Sequence, residues 1–238
     1  MRHVGVIVAA GKGSRFGGDI PKQFTEVGGH PLLFYSLKVM QESFLDEIVV
    51  VTGEDWTDYV QKELAEKFSF SKVTAVVKGG KERFDSVVAG LRAIKEPAEA
   101  YAYIHDGARP LLSRDILNRV KEGLKESEAV VVGVPSKDTV KIVDEGDRVI
   151  NTPQRSRVWL AQTPQAFKAS ELLDAYIEAA LSEALGGGNL SAFTDDASVM
   201  ERCGQRRVKM VMGDYSNIKV TTPEDIEFVS TVLTRLGN

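Results

Sequence analysis

AAGKGSRFGGDIPKQF, residues 9–24, decides how this chain is read. It holds four glycines, two lysines and one arginine, and it follows the apolar run VGVIV at 4–8. A short Val/Ile run closed by glycines reads as a buried strand of a parallel sheet. In such sheets ligands bind beyond the carboxyl ends of the strands. Glycines let backbone N–H groups approach a phosphate closely, and Lys12, Arg15 and Lys22 supply positive charge. The stretch is therefore expected to hold a phosphate-rich ligand; the plainer reading is a glycine-rich turn with solvated cations.

Neither common phosphate motif fits. A P-loop counted from Gly11 needs its second glycine at position 16, which is Phe16. The dinucleotide pattern GxGxxG matches Gly11 and Gly13 and fails at the same Phe16. Its acidic ribose partner, about 20 residues on, falls near Pro31.

Outward from this loop the chain alternates apolar runs with amphipathic segments. Strands are expected at 4–8, 47–52, 73–77, 100–105, 129–135 and 208–212. Helices are expected at 31–43, 55–68, 83–94, 114–125, 169–185, from about 195, and at 223–236, where Thr222 would cap Pro223. The rhythm breaks after Pro135, where two extended runs flank a turn centred on Gly146. That pattern predicts a β-hairpin leaving the core at about 137–157. The fold class is α/β: a Rossmann-like, doubly wound, mostly parallel sheet with a protruding hairpin arm. One domain over 1–238 is expected, with a flexible GGGN loop at 186–189.

The 238 residues carry 30 Lys+Arg against 34 Asp+Glu, a net charge of −4. Such a mildly acidic chain gives no global electrostatic case for nucleic acid or an anionic membrane. One cysteine, Cys203, cannot form an internal disulfide, and three scattered histidines do not make a metal cluster. A reducing cytoplasm fits, and no run reaches the ~18 apolar residues of a membrane span. The 4–10 run behind Arg2 is at the short limit for a signal peptide, so a buried strand is the better reading.

AAGxGxRxG followed by PKQ resembles the signature of sugar nucleotidylyltransferases, and PKQF points to the cytidylyltransferase branch. GGKERFDSV (79–87), HDGARP (105–110), AQTPQAF (161–167), TDDAS (194–198) and NIKVTTPED (217–225) match in the same order. Across essentially the whole chain the sequence resembles the 2-C-methyl-D-erythritol 4-phosphate cytidylyltransferases of the non-mevalonate isoprenoid pathway. The resemblance implies a nucleotidyltransferase-type sheet and transfer of CMP from CTP to a polyol phosphate, with release of pyrophosphate. Phosphoryl-type transfer asks the protein mainly for positioning and for charge near the reacting phosphorus.

Residue by residue, the resemblance places Arg15, Lys22 and Lys219 as catalytic cations on the phosphates. Ala9, Ala10, Gly11 and Gly13 lie against the nucleotide, whose pocket Gly80, Lys81, Ser86, Asp106 and Gly107 extend. Asp106 is also the candidate ligand for Mg²⁺, which prefers oxygen donors shared with phosphates; a loop-ordering pair with Arg109 is the plainer alternative. Arg109, Thr163 and Lys219 are expected on the acceptor. Thr139 and Arg155, on the hairpin, are expected to reach the acceptor in a neighbouring subunit of a homodimer, with Arg157 close enough to trade roles with Arg155. Two positions depart from the family pattern: Lys81 stands where an acid is common, and Gly107 where alanine or serine is.

Three other readings compete. Ribitol 5-phosphate cytidylyltransferases share most motifs, but tend to carry valine where this chain has Ala108. A nicotinamide-dependent oxidoreductase would need the missing GxGxxG and ribose acid. A silent nucleotide-binding module would have no need of the filled charged positions.

Overall fold

The first strand, β1 (Arg2–Ala9), runs down the middle of the sheet because its side chains are apolar on both faces. Val4 and Val6 pack into one hydrophobic layer, and Ile7 and Ala9 into the other. The structure, a computed structural model, describes residues 1–11, 16, 20–204 and 206–236. After β1 come a small hairpin, β2 (Glu26–Val27) and β3 (His30–Pro31), then α1 (Leu32–Gln41) and β4 (Glu47–Thr52). Next are α2 (Thr57–Tyr59), β5 (Val73–Lys78), α3 (Arg83–Arg92), β6 (Ala100–Asp106), α4 (Arg114–Gly123) and β7 (Ala129–Pro135). The chain continues through β8 (Ile142–Val143), β9 (Val149–Asn151), β10 (Trp159–Lys168), α5 (Ala169–Ala184), α6 (Asp196–Arg202), β11 (Lys209–Met212) and α7 (Glu224–Leu236).

Seven strands form the main sheet in the order β11-β7-β10-β6-β1-β4-β5. All neighbours are parallel except β10, which runs antiparallel to both β6 and β7. One face is covered by α1, α4 and α7 through Leu33, Leu37, Ile116, Val120, Val229 and Leu233. The other is covered by α3, α5 and α6 through Val87, Leu91, Leu172, Tyr176, Val199 and Met200. The chain winds outward from β1 to β5 and then returns to β6 on the far side of β1. That reversal opens a crevice beyond Ala9 and Asp106, the last residues of the two strands, where the switch-point rule puts a ligand.

Every strand expected from periodicity is present, and the helices lie within a few residues of expectation. Two differences stand out. The segment expected as one helix at 55–68 is a 3₁₀ turn (Glu54–Trp56), then α2, then a π-helix (Val60–Glu66) closed by the Lys67 N–H on the Lys62 carbonyl. β10 was not anticipated as a sheet strand: its pairing with β7 slips between Ala161 and Gln165, around Pro164, which hides the alternation. The hairpin arm is present as β8 and β9. Asp144 Oδ1 accepts the Gly146 and Arg148 N–H groups at 2.9 and 3.0 Å, which sets its turn. No helix is long and apolar enough to cross a membrane, among the described residues.

Candidate active site

Three adjoining cavities run along the carboxyl edge of the sheet. The central one, about 260 Å³, is lined by Ala9, Ala10, Gly11, Lys22, Gly80, Lys81, Ser86, Asp106 and Lys219, among others. A second shares Ala10, Gly80 and Lys81 with it and extends toward Trp56 and Lys78. The third, about 240 Å³, is lined by Arg109, Thr163, Gln165 and Asp195. Arg83, Asp106 and Lys219 line both the central and the third cavity, so they form the wall between them.

Asp106 is the electrostatic centre of that wall. Lys219 Nζ lies 2.9 Å from Oδ2, Arg83 Nε 3.2 Å from Oδ1, and Arg109 Nε 3.8 Å from Oδ2. Burial alone would raise its pKa, but Arg83, Lys219 and Arg109 together hold it far below the usual carboxylate range. The carboxylate therefore stays ionised at any physiological pH. Arg109 is itself largely withdrawn from water, which lowers its pKa against the pull of Asp106, and its Nη1 donates to the Asn217 carbonyl at 2.8 Å.

Behind Asp106 runs a relay that fixes Thr163. The Asp106 N–H donates to Thr163 Oγ1 at 3.1 Å, and that hydroxyl lies 3.0 Å from His105 Nδ1. His105 Nε2 lies 3.1 Å from the Arg109 carbonyl, which can only accept. Nε2 therefore carries the proton, and Nδ1 accepts from Thr163. Burial lowers the His105 pKa to about 4, which keeps the ring neutral as this tautomer requires.

Around the central cavity the glycines admit close backbone approach. A Cβ on Gly79 would stand 2.4 Å from Ala10 Cβ, so the floor closes only around glycine. The Gly80 N–H donates to Ser86 Oγ at 3.2 Å, and that hydroxyl donates to the Glu82 carbonyl at 3.1 Å. Ser86 does not cap α3; Glu82 and Asp85 do so as a capping box.

A family model described as 2-C-methyl-D-erythritol 4-phosphate cytidylyltransferase matches residues 3–235. The chain belongs to this family. The 2-C-methyl-D-erythritol 4-phosphate cytidylyltransferase of Lachnospira eligens is 43% identical over 229 residues, 96% of this chain and 97% of that protein. That of Geotalea uraniireducens is 45% identical over 228 residues, 95% of this chain and 94% of that protein. The crystal structure of 4-diphosphocytidyl-2C-methyl-D-erythritol synthase from Anaerococcus prevotii superposes with a TM-score of 0.81 at 33% identity, covering 98% of this chain and 99% of that one.

Against this cytidylyltransferase membership, the expected site residues sort into five groups. Ala9, Ala10, Gly11, Lys22, Gly80, Lys81, Ser86, Asp106 and Lys219 converge on the central cavity. Arg109 and Thr163 line the third. Gly107 is buried against Ala9, Ile7 and Leu33, so its smallness serves packing under the cleft. Thr139 and Arg155 sit on the exposed arm and line none of these cavities; the Arg155 Nη1 donates to the Lys137 carbonyl at 3.4 Å. Lys12, Gly13 and Arg15 lie outside the described residues.

Several residues were passed over although they stand inside the quoted motifs. Gln23 of PKQF is buried, and its Nε2 donates to the carbonyls of Ala9 and Gly11 at 2.6 and 3.1 Å. Gln165 of AQTPQAF ties β10 to α6, donating to Asp195 Oδ2 at 2.9 Å and accepting the Ala197 N–H at 2.8 Å. Asn217 donates to the Thr163 carbonyl at 2.9 Å. Arg83 and Asp196 also belong to this group. The available signal was their place inside the motifs that carry the family resemblance.

Proposed function

We propose that the protein transfers the CMP group of CTP to 2-C-methyl-D-erythritol 4-phosphate, giving 4-diphosphocytidyl-2-C-methyl-D-erythritol and pyrophosphate. One observation carries this: a nucleotide-sized cleft and the polar third cavity share a wall made of Arg83, Asp106 and Lys219. An acceptor phosphate oxygen from the third cavity attacks the α-phosphorus of CTP. The bond from that phosphorus to the bridging oxygen of the β-phosphate breaks, and pyrophosphate carries the electron pair away.

No side-chain nucleophile is needed, so the residues act by placement and charge. Lys22, at the mouth of the cleft, would neutralise the triphosphate together with Arg15. Lys219, on the shared wall, would stabilise charge as it develops on the transferred phosphate. Arg109 would meet the acceptor phosphate, and Thr163, oriented by His105, would hold the acceptor in line. Asp106 keeps Arg83, Arg109 and Lys219 from repelling one another before substrate arrives.

The donor chemistry fits Mg²⁺ carried by the triphosphate. Asp106 offers an ionised carboxylate, and Mg²⁺ commonly takes one or two carboxylates plus substrate phosphates. Among the described residues, no group of three His, Cys, Asp or Glu side chains could hold a metal alone. When bound, the ion would supply charge neutralisation at the phosphates.

A homodimer that exchanges arms completes the reading. Ile142, Val143, Val149 and Ile150 on the arm are 43–65% exposed in the single chain. An isolated two-stranded hairpin is only marginally stable in water, so a partner surface suits it. Thr139 and Arg155 would then reach the neighbour's acceptor. A reducing cytoplasm suits the single free thiol, Cys203.

The test is pyrophosphate release from CTP and Mg²⁺ with methylerythritol phosphate or ribitol 5-phosphate as acceptor. Release with the first alone supports the proposal. Release mainly with the second changes the acceptor, and silence with both overturns transfer.

A further inference from the structure

Arg83 begins α3 and is not among the residues expected to touch either substrate. Its guanidinium is nevertheless one of the best-held groups in the molecule. Nη1 and Nη2 form a bidentate pair with Asp196 at 2.9 and 2.7 Å, and Nε turns to Asp106 Oδ1 at 3.2 Å. Asp196 is fully buried, and Tyr176 donates its hydroxyl to Oδ1 at 2.6 Å. Asp196 is anchored in turn: the neighbouring Asp195 caps α6, accepting the Ser198 N–H at 2.9 Å. The TDDAS motif thus has a physical task. Its first aspartate starts a helix, and its second holds an arginine from across the sheet face.

We propose that Arg83 is a positioning residue for the transfer reaction: gripped by Asp196, it fixes the Asp106 carboxylate and, through it, the Lys219 ammonium where the two phosphates meet. This rests on the transfer reaction proposed above. Three observations carry it. Arg83 lines both cavities, together with the two residues it would set. Asp106 takes Arg83 on one oxygen and Lys219 on the other, so a shift of Arg83 tilts the carboxylate and moves the ammonium. With its fork committed to Asp196, Arg83 is pinned from behind and its Nε edge faces the site. Only a planar fork makes both contacts at once; a lysine ammonium offers a single point charge.

The test is a double-mutant cycle on the full-length protein. CTP and methylerythritol phosphate are varied separately for the wild type, Arg83→Lys, Lys219→Ala and the double variant. Arg83→Lys should lower kcat by ~10-fold or more, with KM for CTP held within about threefold. In the Lys219→Ala background the same change should cost less than about twofold, because the group it positions is gone. Equal costs in both backgrounds would overturn the proposal, as would an unchanged kcat in Arg83→Lys. Asp196→Asn, which keeps the shape and loses the charge, should repeat the pattern and carries the cycle if Arg83→Lys does not fold. A wild type without transferase activity would instead overturn the proposed reaction, a result distinct from either outcome of the cycle.

Discussion

The ammonium of Lys219 lies 2.9 Å from Oδ2 of Asp106, a carboxylate whose side chain is 10% exposed. The two partners are unequal: the Lys219 side chain is 39% exposed. Removing the buried member leaves Arg83, Arg109 and Lys219 facing one another. Asp106→Asn should therefore cost about 3 kcal/mol of stability and also reduce turnover. Lys219→Ala should change stability by less than about 1 kcal/mol yet lower kcat by ~10²-fold. Urea unfolding beside pyrophosphate release separates the two: equal stability losses would contradict the asymmetry.

His105 predicts a pH dependence of stability. Its pKa falls from 6.5 in the open chain to about 4 when buried. The unfolded chain therefore binds a proton that the folded one refuses between these values. The stabilisation is full above pH 6.5 and is lost as pH falls toward 4, by about 3 kcal/mol in all. His3, lowered first by burial and then by Lys121, contributes in the same direction. Chemical denaturation from pH 7.5 to 4.5 should show a steep acid loss in the wild type and a shallower one in His105→Gln. Parallel curves would count against the neutral relay.

Gln23 ties Ala9 and Gly11, at the end of β1, to the turn that carries Lys22. Its donor bonds to Ala9 and Gly11 have no substitute in Gln23→Ala, which leaves the buried Ala9 carbonyl without this partner at a cost of ~1–3 kcal/mol. The damage should concentrate on the nucleotide. KM for CTP should rise ~10-fold, with KM for the acceptor within about twofold, because the third cavity shares no wall with Gln23.

The arm makes a complementation prediction. In an arm-exchanged dimer, Lys22→Ala disables a subunit's own cleft, and Arg155→Ala disables the neighbour's. Either variant alone should be nearly inactive. An equal, re-equilibrated mixture should recover about a quarter of wild-type activity, since half the dimers are mixed and each holds one complete site. A mixture no more active than the variants apart would mean that Arg155 does not serve a partner's site.

Much of this architecture was legible in the chain. Val4 to Ala9, Glu47 to Thr52 and Ala129 to Pro135 announce buried strands because their apolar side chains serve both faces. α3 is readable from Val87 and Leu91, one helical turn apart on the sheet side. β10 was not readable, because Pro164 and a slipped register interrupt its pattern in the middle of the sheet. The π-helical turns at 60–66 were also hidden, since they differ from α-helix in backbone bonding rather than residue choice. At the site, Lys22 and Lys219 stood out as charges within glycine- and proline-marked motifs. The Arg83–Asp196 pair did not, because its members are 113 residues apart and only the fold makes them neighbours.

β10 has one more consequence. It leaves the base of the arm at Trp159 and reaches Thr163 in the third cavity within the same strand. Because it runs against its neighbours, it enters the sheet at the edge where they end. The base of the arm and the floor of the third cavity are thus one continuous strand, paired with β7 at both ends and with β6 over Gln165–Lys168. Lengthening or shortening the arm would push or pull that strand through its own subunit, whatever it did next door. Arm length should therefore be held tightly, and insertions should be rarer there than in the 186–189 loop, which no strand holds.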